Sequence, residues 1–376
     1  MRVVIAPDKF KGSLSAPQVA AAVAAGLREV VPDVEAIEVP VADGGDGTLD
    51  AALSAGFTRV PIRVAGPTGE PVDTAYAVRD EVAVVELADA CGLNRLPGGQ
   101  LAALTASSGG LGQLVRAALD AGCRRIVLGI GGSASTDGGA GMLAELGVRL
   151  LDADGAPLPP GGGALERLDR VDLSGLHPAV GSTEVLLASD VDNPLLGPTG
   201  AAEVYGPQKG ASPADVQVLE RGLSQLVTVL VEELPNVKDA ASAPGAGAAG
   251  GVGFAALALL GAQPRPGIDL LLELIDFQAR LPGADLVVTG EGSLDVQTLH
   301  GKAPAGVAAA ARAAGVPVVA VAGRSLLRTD ELAGAGIAAA YPLSEIEPNP
   351  VRSMAHAGPL LQQMGQRIAQ DWLEKS

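Results

Sequence analysis

Aromatic side chains are nearly missing from this chain: four Phe, three Tyr and one Trp in 376 residues. A protein that holds bases by stacking them on aromatic rings is poorly served by that set. Positive charge is also short, with 26 Lys and Arg against 43 Asp and Glu and a net charge of −17. A groove that tracks a nucleic-acid backbone is therefore not expected, and an anionic substrate would need a local cluster of Lys or Arg. The only two cysteines, Cys91 and Cys123, make neither a disulfide framework nor a metal set, which fits a reducing cytosol. Three dispersed histidines, His177, His300 and His356, give no His-rich zinc site. No apolar run reaches the ~20 residues of a membrane span. The apolar part of "MRVVIAPDKF" is too short for a signal peptide and reads as a strand. The expectation is a cytoplasmic protein with no nucleic-acid or membrane partner and a core of Ala, Val and Leu; oligomeric state is left open between monomer and homodimer.

What is present is a well-buried globular composition, 48% hydrophobic and 18% charged, which excludes bulk disorder. The length exceeds one ordinary core and predicts two domains. "RVVIAPD" is a strand and turn. "SAPQVAAAVAAGLREVVPD" is a helix with Ser15 to cap it and Pro17 in its first turn. "VEAIEVPVADGGDGT" is a second strand and loop, and "TLDAALSAG" a helix closed by glycine. This βαβα rhythm predicts a parallel sheet covered by helices. From Phe57 it gives way to "TRVPIRVAGPTGEPVDTAYAVRDEVAVVELA", two or three antiparallel strands without helices between them. A long amphipathic helix is predicted over 213–234, and one closing helix over 350–374. The first rhythm returns at "ADLVVTGEG". The fold class is thus α/β. Residues 1–57 and 282–376 are expected to form a discontinuous Rossmann- or flavodoxin-like parallel-sheet domain. Residues 58–281 are expected to form an inserted mixed α/β domain, with the active site in the cleft between the two.

Ligands of open α/β sheets sit beyond the carboxyl ends of the strands. Five polar, Gly-rich loops are read there. "PDKFKGS" carries Asp8, Lys9 and Lys11; "ADGGDGT" carries Asp43 and Asp46; "GGSASTDGG" carries Ser133, Ser135, Thr136 and Asp137. "SDVDNPLLGPTG" holds Asp190, Asp192 and Asn193, and "TGEGSLDVQTLHGK" holds Glu291, Ser293, Asp295 and Lys302. Glycine lets backbone N–H groups approach an anion, lysine adds a point charge, and carboxylates hold Mg²⁺ or accept a hydroxyl proton. Together they suit Mg-assisted phosphoryl transfer. "GIGGSA" and "GAGAAG" match the dinucleotide fingerprint, but in a chain with 51 glycines such matches come easily. No P-loop signature occurs. A nicotinamide-dependent oxidoreductase and a non-catalytic sensor are the competing readings.

Seven longer motifs carry a resemblance: "IAPDKFKGSLSA", "VADGGDGT", "ELADACGL", "TASSGGLGQLV", "GIGGSASTDGGAGML", "SDVDNPLLGPTGAAEVYGPQKGA" and "VTGEGSLDVQTLHGK". In this order, over nearly the whole chain, they resemble the bacterial class I glycerate kinase family. The resemblance implies two α/β domains and MgATP-dependent phosphorylation of D-glycerate, to 2-phosphoglycerate rather than 3-phosphoglycerate, in organic-acid (glyoxylate) metabolism. ATP and Mg²⁺ are the implied cofactor and metal. Carried onto this sequence, Lys11, Asp190, Asp295 and Lys302 become the catalytic candidates. Mg²⁺ would fall to Asp137, Asp190 and Asp295. Substrate and phosphate contacts would come from Asp8, Lys9, Asp43, Gly44, Gly45, Asp46, Ser107, Ser108, Gly131, Gly132, Ser133, Ser135, Thr136, Asn193, Lys209, Gly290, Glu291, Gly292 and Ser293. Lys9 stands where the family often carries Ser and Asp46 where it often carries Glu, which makes Lys11 the stronger lysine of the pair.

Overall fold

The computed structural model describes residues 1–374. The strands, in chain order, are β1 (Arg2–Pro7), β2 (Glu35–Glu38), β3 (Thr58–Ala65), β4 (Pro71–Arg79), β5 (Val82–Glu86), β6 (Arg125–Gly129) and β7 (Arg149–Leu151). They continue with β8 (Arg170–Asp172), β9 (Glu184–Ala188), β10 (Gln263–Arg265), β11 (Leu286–Leu294), β12 (Val318–Ser325) and β13 (Ala339–Pro342). The helices are α1 (Ala16–Val30), α2 (Thr48–Ser54), α3 (Leu87–Cys91), α4 (Gly109–Asp120), α5 (Ala140–Glu145), α6 (Ala201–Tyr205) and α7 (Pro213–Leu230). Then come α8 (Val237–Ser242), α9 (Val252–Leu259), α10 (Gly267–Leu274), α11 (Ala303–Ala313), α12 (Thr329–Gly334), α13 (Pro350–Ala355) and α14 (Ala357–Trp372).

Two compact α/β units result. The first gathers Met1–Asp43, Asp50–Gly56 and the chain from Pro266 onward; the second gathers Gly44–Leu49 and Phe57–Arg265. The return to the first unit comes earlier in the chain than the expected 282. Its cause is packing: Ile268, Leu271 and Leu272 of α10, with Ile275, Phe277 and Leu281 after it, are core residues of the first unit.

The first unit is built on an all-parallel sheet of order β13-β12-β11-β1-β2. Successive strand side chains face opposite ways, so the sheet feeds two cores. Val4 and Ala6 of β1, Val287 of β11 and Val318 of β12 pack with α10 and α11. Val3 and Ile5, Val288 and Val319 pack with α1 and α14. Burial on both faces explains why the sequence runs here are continuously apolar. From β1 the chain crosses by α1 to β2, on one face. From β11 it crosses by α11 to β12, on the other face and in the opposite direction along the sheet. The strand order therefore reverses between β1 and β11, the point at which such sheets open a crevice at their carboxyl ends.

The second unit holds a six-stranded sheet, β10-β9-β6-β5-β4-β3, with β5, β6, β9 and β10 parallel and β3-β4-β5 antiparallel. A separate pair, β7-β8, is antiparallel. α7 starts in a capping box of Ser212 and Asp215 but stops at Leu230 rather than 234. Glu232 and Glu233 would load the negative end of its dipole, and Pro235 disfavours helix before it. The single closing helix expected over 350–374 is two helices, broken at His356. Pro359 lacks the N–H that would bond the carbonyl of Ala355, and its ring clashes there.

Candidate active site

Where the first sheet's strand order reverses, β1 delivers Asp8 and β11 delivers Glu291. The β11 residues Gly290, Glu291, Gly292 and Ser293 do not form a loop as the sequence suggests. They continue the strand, pairing with β12 as far as Leu294 opposite Ser325. Asp8 is only 8% exposed. Its N–H donates to the carbonyl of Gly290 at 2.8 Å, and its Oδ1 accepts the N–H of Lys9 at 2.6 Å. Burial, and secondarily the carboxylate of Asp43, push its pKa up to about 7; Glu291 adds to this, while Lys9 and its N–H oppose it. Glu291 is likewise raised by burial, with smaller contributions from Asp295 and Asp43. Its Oε1 accepts the hydroxyl of Thr298 at 2.5 Å, and the Lys302 ammonium lies 3.8 Å from its Oε2. Thr298 also accepts the N–H of Asp295 at 3.0 Å, while Asp295 Oδ1 takes the N–H of Gln297 at 2.9 Å. Lys302 precedes α11 at its N-cap. Lys11 sits on an exposed turn closed by the Phe10–Leu14 bridge, and Gly292 faces that turn, its missing Cβ 3.6 Å from the N of Lys11. Arg324 at the end of β12, unanticipated from the sequence, donates to Ser293 Oγ at 3.1 Å.

The second unit brings together the serines, Asp137 and Lys209, but turns them inward. Asp137 is fully buried. Its Oδ2 accepts the N–H and hydroxyl of Ser108 at 2.8 and 2.9 Å and the N–H of Gly141 at 3.2 Å. Its Oδ1 accepts the N–H of Gly139 at 3.2 Å. The Ser108 hydroxyl in turn accepts the N–H of Met142 at 3.0 Å. Lys209, 2% exposed, donates to the carbonyl of Ser135 at 2.5 Å. Burial lowers its pKa to about 7 against the pull of Asp137. Ser133 donates to Ala249 O at 3.3 Å and stands 3.3 Å from Ser135 Oγ. The hydroxyl of Thr136 is enclosed without a hydrogen-bond partner among the described residues. Ser107 is half-buried and accepts the N–H of Gly109, Gly132 is exposed, and Asp190 lies on the surface. Both ends of the Asn193 amide are engaged, by Thr199 O and the hydroxyl of Tyr205.

The "GIGG" glycines serve close packing. A Cβ on Gly129 would lie 2.8 Å from Gly44 O, and one on Gly131 would lie 2.7 Å from Gly45 Cα. The backbone of Gly44–Gly45 thus occupies the space that the dinucleotide fingerprint would keep for a ligand. Holding that segment is Glu86, absent from the sequence-derived candidates and only 2% exposed. Its carboxylate accepts the N–H of Gly47 at 3.1 Å and of Leu49 at 2.9 Å, which caps α2 from β5 and leaves Asp46 exposed. Burial pushes Glu86 up to about 8, with Asp89 and Asp46 adding and the two N–H groups opposing. The signal in sequence was a lone acid closing the apolar run "VAVVE". Replacing Glu86 by Ala strands two donors, each worth about 1–3 kcal/mol when buried and unpaired. Urea unfolding should show a loss of about 2–4 kcal/mol, less for Glu86→Gln, which keeps one acceptor oxygen; an unchanged midpoint would remove Glu86 from this role.

Residues 3–373 match the model of the Glycerate kinase family. The chain is 43% identical over 371 residues to the glycerate kinase of Halalkalibacterium halodurans, covering 98% of this chain and 97% of that protein. It is 44% identical over 329 residues to the glycerate 2-kinase of Escherichia coli, covering 86% and 85%. A crystal structure assigned as glycerate kinase 2 of Salmonella typhimurium LT2 superposes with a TM-score of 0.85 at 40% identity, covering 99% of this chain and 98% of that one.

Proposed function

The chain belongs to the glycerate kinase family, and on that premise we propose that it moves the γ-phosphoryl group of ATP onto the C2 hydroxyl of D-glycerate, giving 2-phosphoglycerate. Membership makes it an enzyme, a kinase. The E. coli relative named glycerate 2-kinase supports the choice of hydroxyl. The observation that carries the reading is the meeting of Asp8, Asp43, Glu291 and Lys302 where the strand order of the first sheet reverses.

Phosphoryl transfer needs positioning and neutralised charge more than covalent help from the protein. Lys302, next to the Glu291 carboxylate at an N-cap, is suited to the transferred group. Lys11 on its exposed turn, with Lys9, is suited to the carboxylate of glycerate. Mg²⁺ borne on the triphosphate would offset its charge and require only one or two protein carboxylates. Among the described residues no three His, Cys, Asp or Glu side chains group closely enough to cage an ion. Asp137 does not fit a metal, since its oxygens already accept four hydrogen bonds. The half-buried Asp295, close enough to Glu291 to raise its pKa, fits better. No helix among the described residues is long and apolar enough to cross a membrane, and a cytoplasmic place in organic-acid metabolism is part of the proposal.

Carbon and phosphorus NMR of the product from D-glycerate and MgATP tests the reading. Phosphorus coupled to the C2 methine is expected. Phosphorus on the C3 methylene would overturn the regiochemistry, and absence of a phosphorylated product would overturn the reading itself.

A further inference from the structure

We propose that Asp8 is the general base of the reaction, taking the proton from the accepting hydroxyl of glycerate as that oxygen attacks the γ-phosphorus. The proposal rests on the reading above, that transfer occurs at the strand ends of the first unit. The family resemblance places Asp190 and Asp295 among the catalytic candidates and Asp8 among the substrate contacts.

Geometry separates the acids. Asp190 is a surface residue of the second unit. Asp295 spends Oδ1 on the turn that leads to Lys302. Glu291 spends Oε1 on Thr298, and its Oε2 faces a cation. Asp8 has one oxygen anchored by the N–H of Lys9, while among the described residues Oδ2 accepts no hydrogen bond. It is held directly after the buried internal strand β1 by its own N–H to Gly290, at the point where an open parallel sheet receives its ligand. One oxygen fixed and one available is the arrangement a base requires.

The groups facing Asp8 are Asp43 from the loop after β2, Glu291 from β11, and Lys9 beside it. Burial and the two acids hold the carboxyl at about 7, near the value at which a base is both ionised and strong enough at neutral pH. In the step, the hydroxyl proton passes to Asp8 Oδ2 and the glycerate oxygen bonds the γ-phosphorus. The bond from that phosphorus to the β,γ-bridging oxygen breaks, and ADP leaves with the electron pair. Asp8 then releases the proton to water.

The same burial sets a stability signature. With a folded pKa of about 7 against 3.8, the unfolded chain loses this proton first as pH rises, so the fold weakens between those values. Asp8→Asn should therefore melt at or above the parent at pH 8, while kcat falls roughly 10²- to 10⁴-fold and KM for both substrates changes little. The acid limb of the kcat profile should be present in the parent and missing from the residual activity of Asp8→Asn, which still uses MgATP and so controls for titration of the nucleotide. Asp43→Asn, measured separately, should move the parent's acid limb to lower pH by removing a like charge. A parent-like kcat with its acid limb in Asp8→Asn would overturn the proposal. So would an Asp8→Asn melting point below the parent at every pH, which marks a structural residue, or an unmoved limb in Asp43→Asn. If the parent itself forms no phosphoglycerate, it is the functional reading that fails.

Discussion

Asp137→Ala is expected to lower folding stability by about 4 kcal/mol or more, measured as a shift of the urea midpoint. Four donors lose their acceptor at once: the N–H and hydroxyl of Ser108 and the N–H groups of Gly139 and Gly141. All four lie in buried or half-buried positions. A buried donor left unmade costs about 1–3 kcal/mol. The Ser108 hydroxyl can rotate to another acceptor, so the sum is an upper bound. Lys209 also loses the anion that offsets its burial, which adds to the loss. Against a typical stability of about 5–15 kcal/mol, the variant should be marginal at 37 °C. Asp137→Asn keeps the shape and one acceptor and should lose less, though its amide then meets donors. The rival outcome is distinct. A metal ligand would leave the urea midpoint nearly unchanged and raise the Mg²⁺ concentration needed for half-maximal rate.

Lys302→Ala should do the reverse, sparing the fold and removing activity. The side chain is about a third exposed and its one ion pair, to Glu291, spans 3.8 Å, so its loss should change stability by no more than about 1 kcal/mol. Charge building on the transferred phosphoryl group is another matter. A cation aimed at developing charge in a partly desolvated site is worth about 3–4 kcal/mol, or roughly 10²- to 10³-fold in rate. The loss should fall on kcat, with the KM for ATP changed little, since an interaction made mainly in the transition state leaves ground-state binding alone. Removing Lys302 also removes one of the groups that lower the pKa of Glu291. A variant with normal kcat and raised KM would make Lys302 a substrate anchor only.

The parallel first unit was readable because "RVVIAP" and "ADLVVTG" are continuous apolar runs, as strands buried on both faces must be. Their place in one sheet followed from the return of βαβα order; that they are neighbours in it did not. Glu291 and Ser293 were read as loop residues because Gly-rich polar stretches favour turns. Pairing with β12 overrides that local preference, as sheet context commonly does. The inward turn of Asp137 was hidden for a related reason. A glycine-rich loop with an acid and hydroxyls has the same composition whether it cradles a ligand or closes on itself. Only the positions of Ser108 and Lys209, distant in sequence, distinguish the two. Glu86 escaped because its partners, Gly47 and Leu49, are backbone groups that leave no mark in composition. The early re-entry at Pro266 was likewise a packing fact, set by where Ile268 and Phe277 find apolar cover.

A crystal structure with D-glycerate and a non-hydrolysable ATP analogue bound bears most directly on where transfer occurs. If Asp8 is the base at the junction of β1 and β11, the accepting hydroxyl will lie about 2.6–3.2 Å from its Oδ2, with Lys302 within hydrogen-bonding reach of the γ-phosphate. Glycerate and the γ-phosphate bound away from both side chains would contradict it.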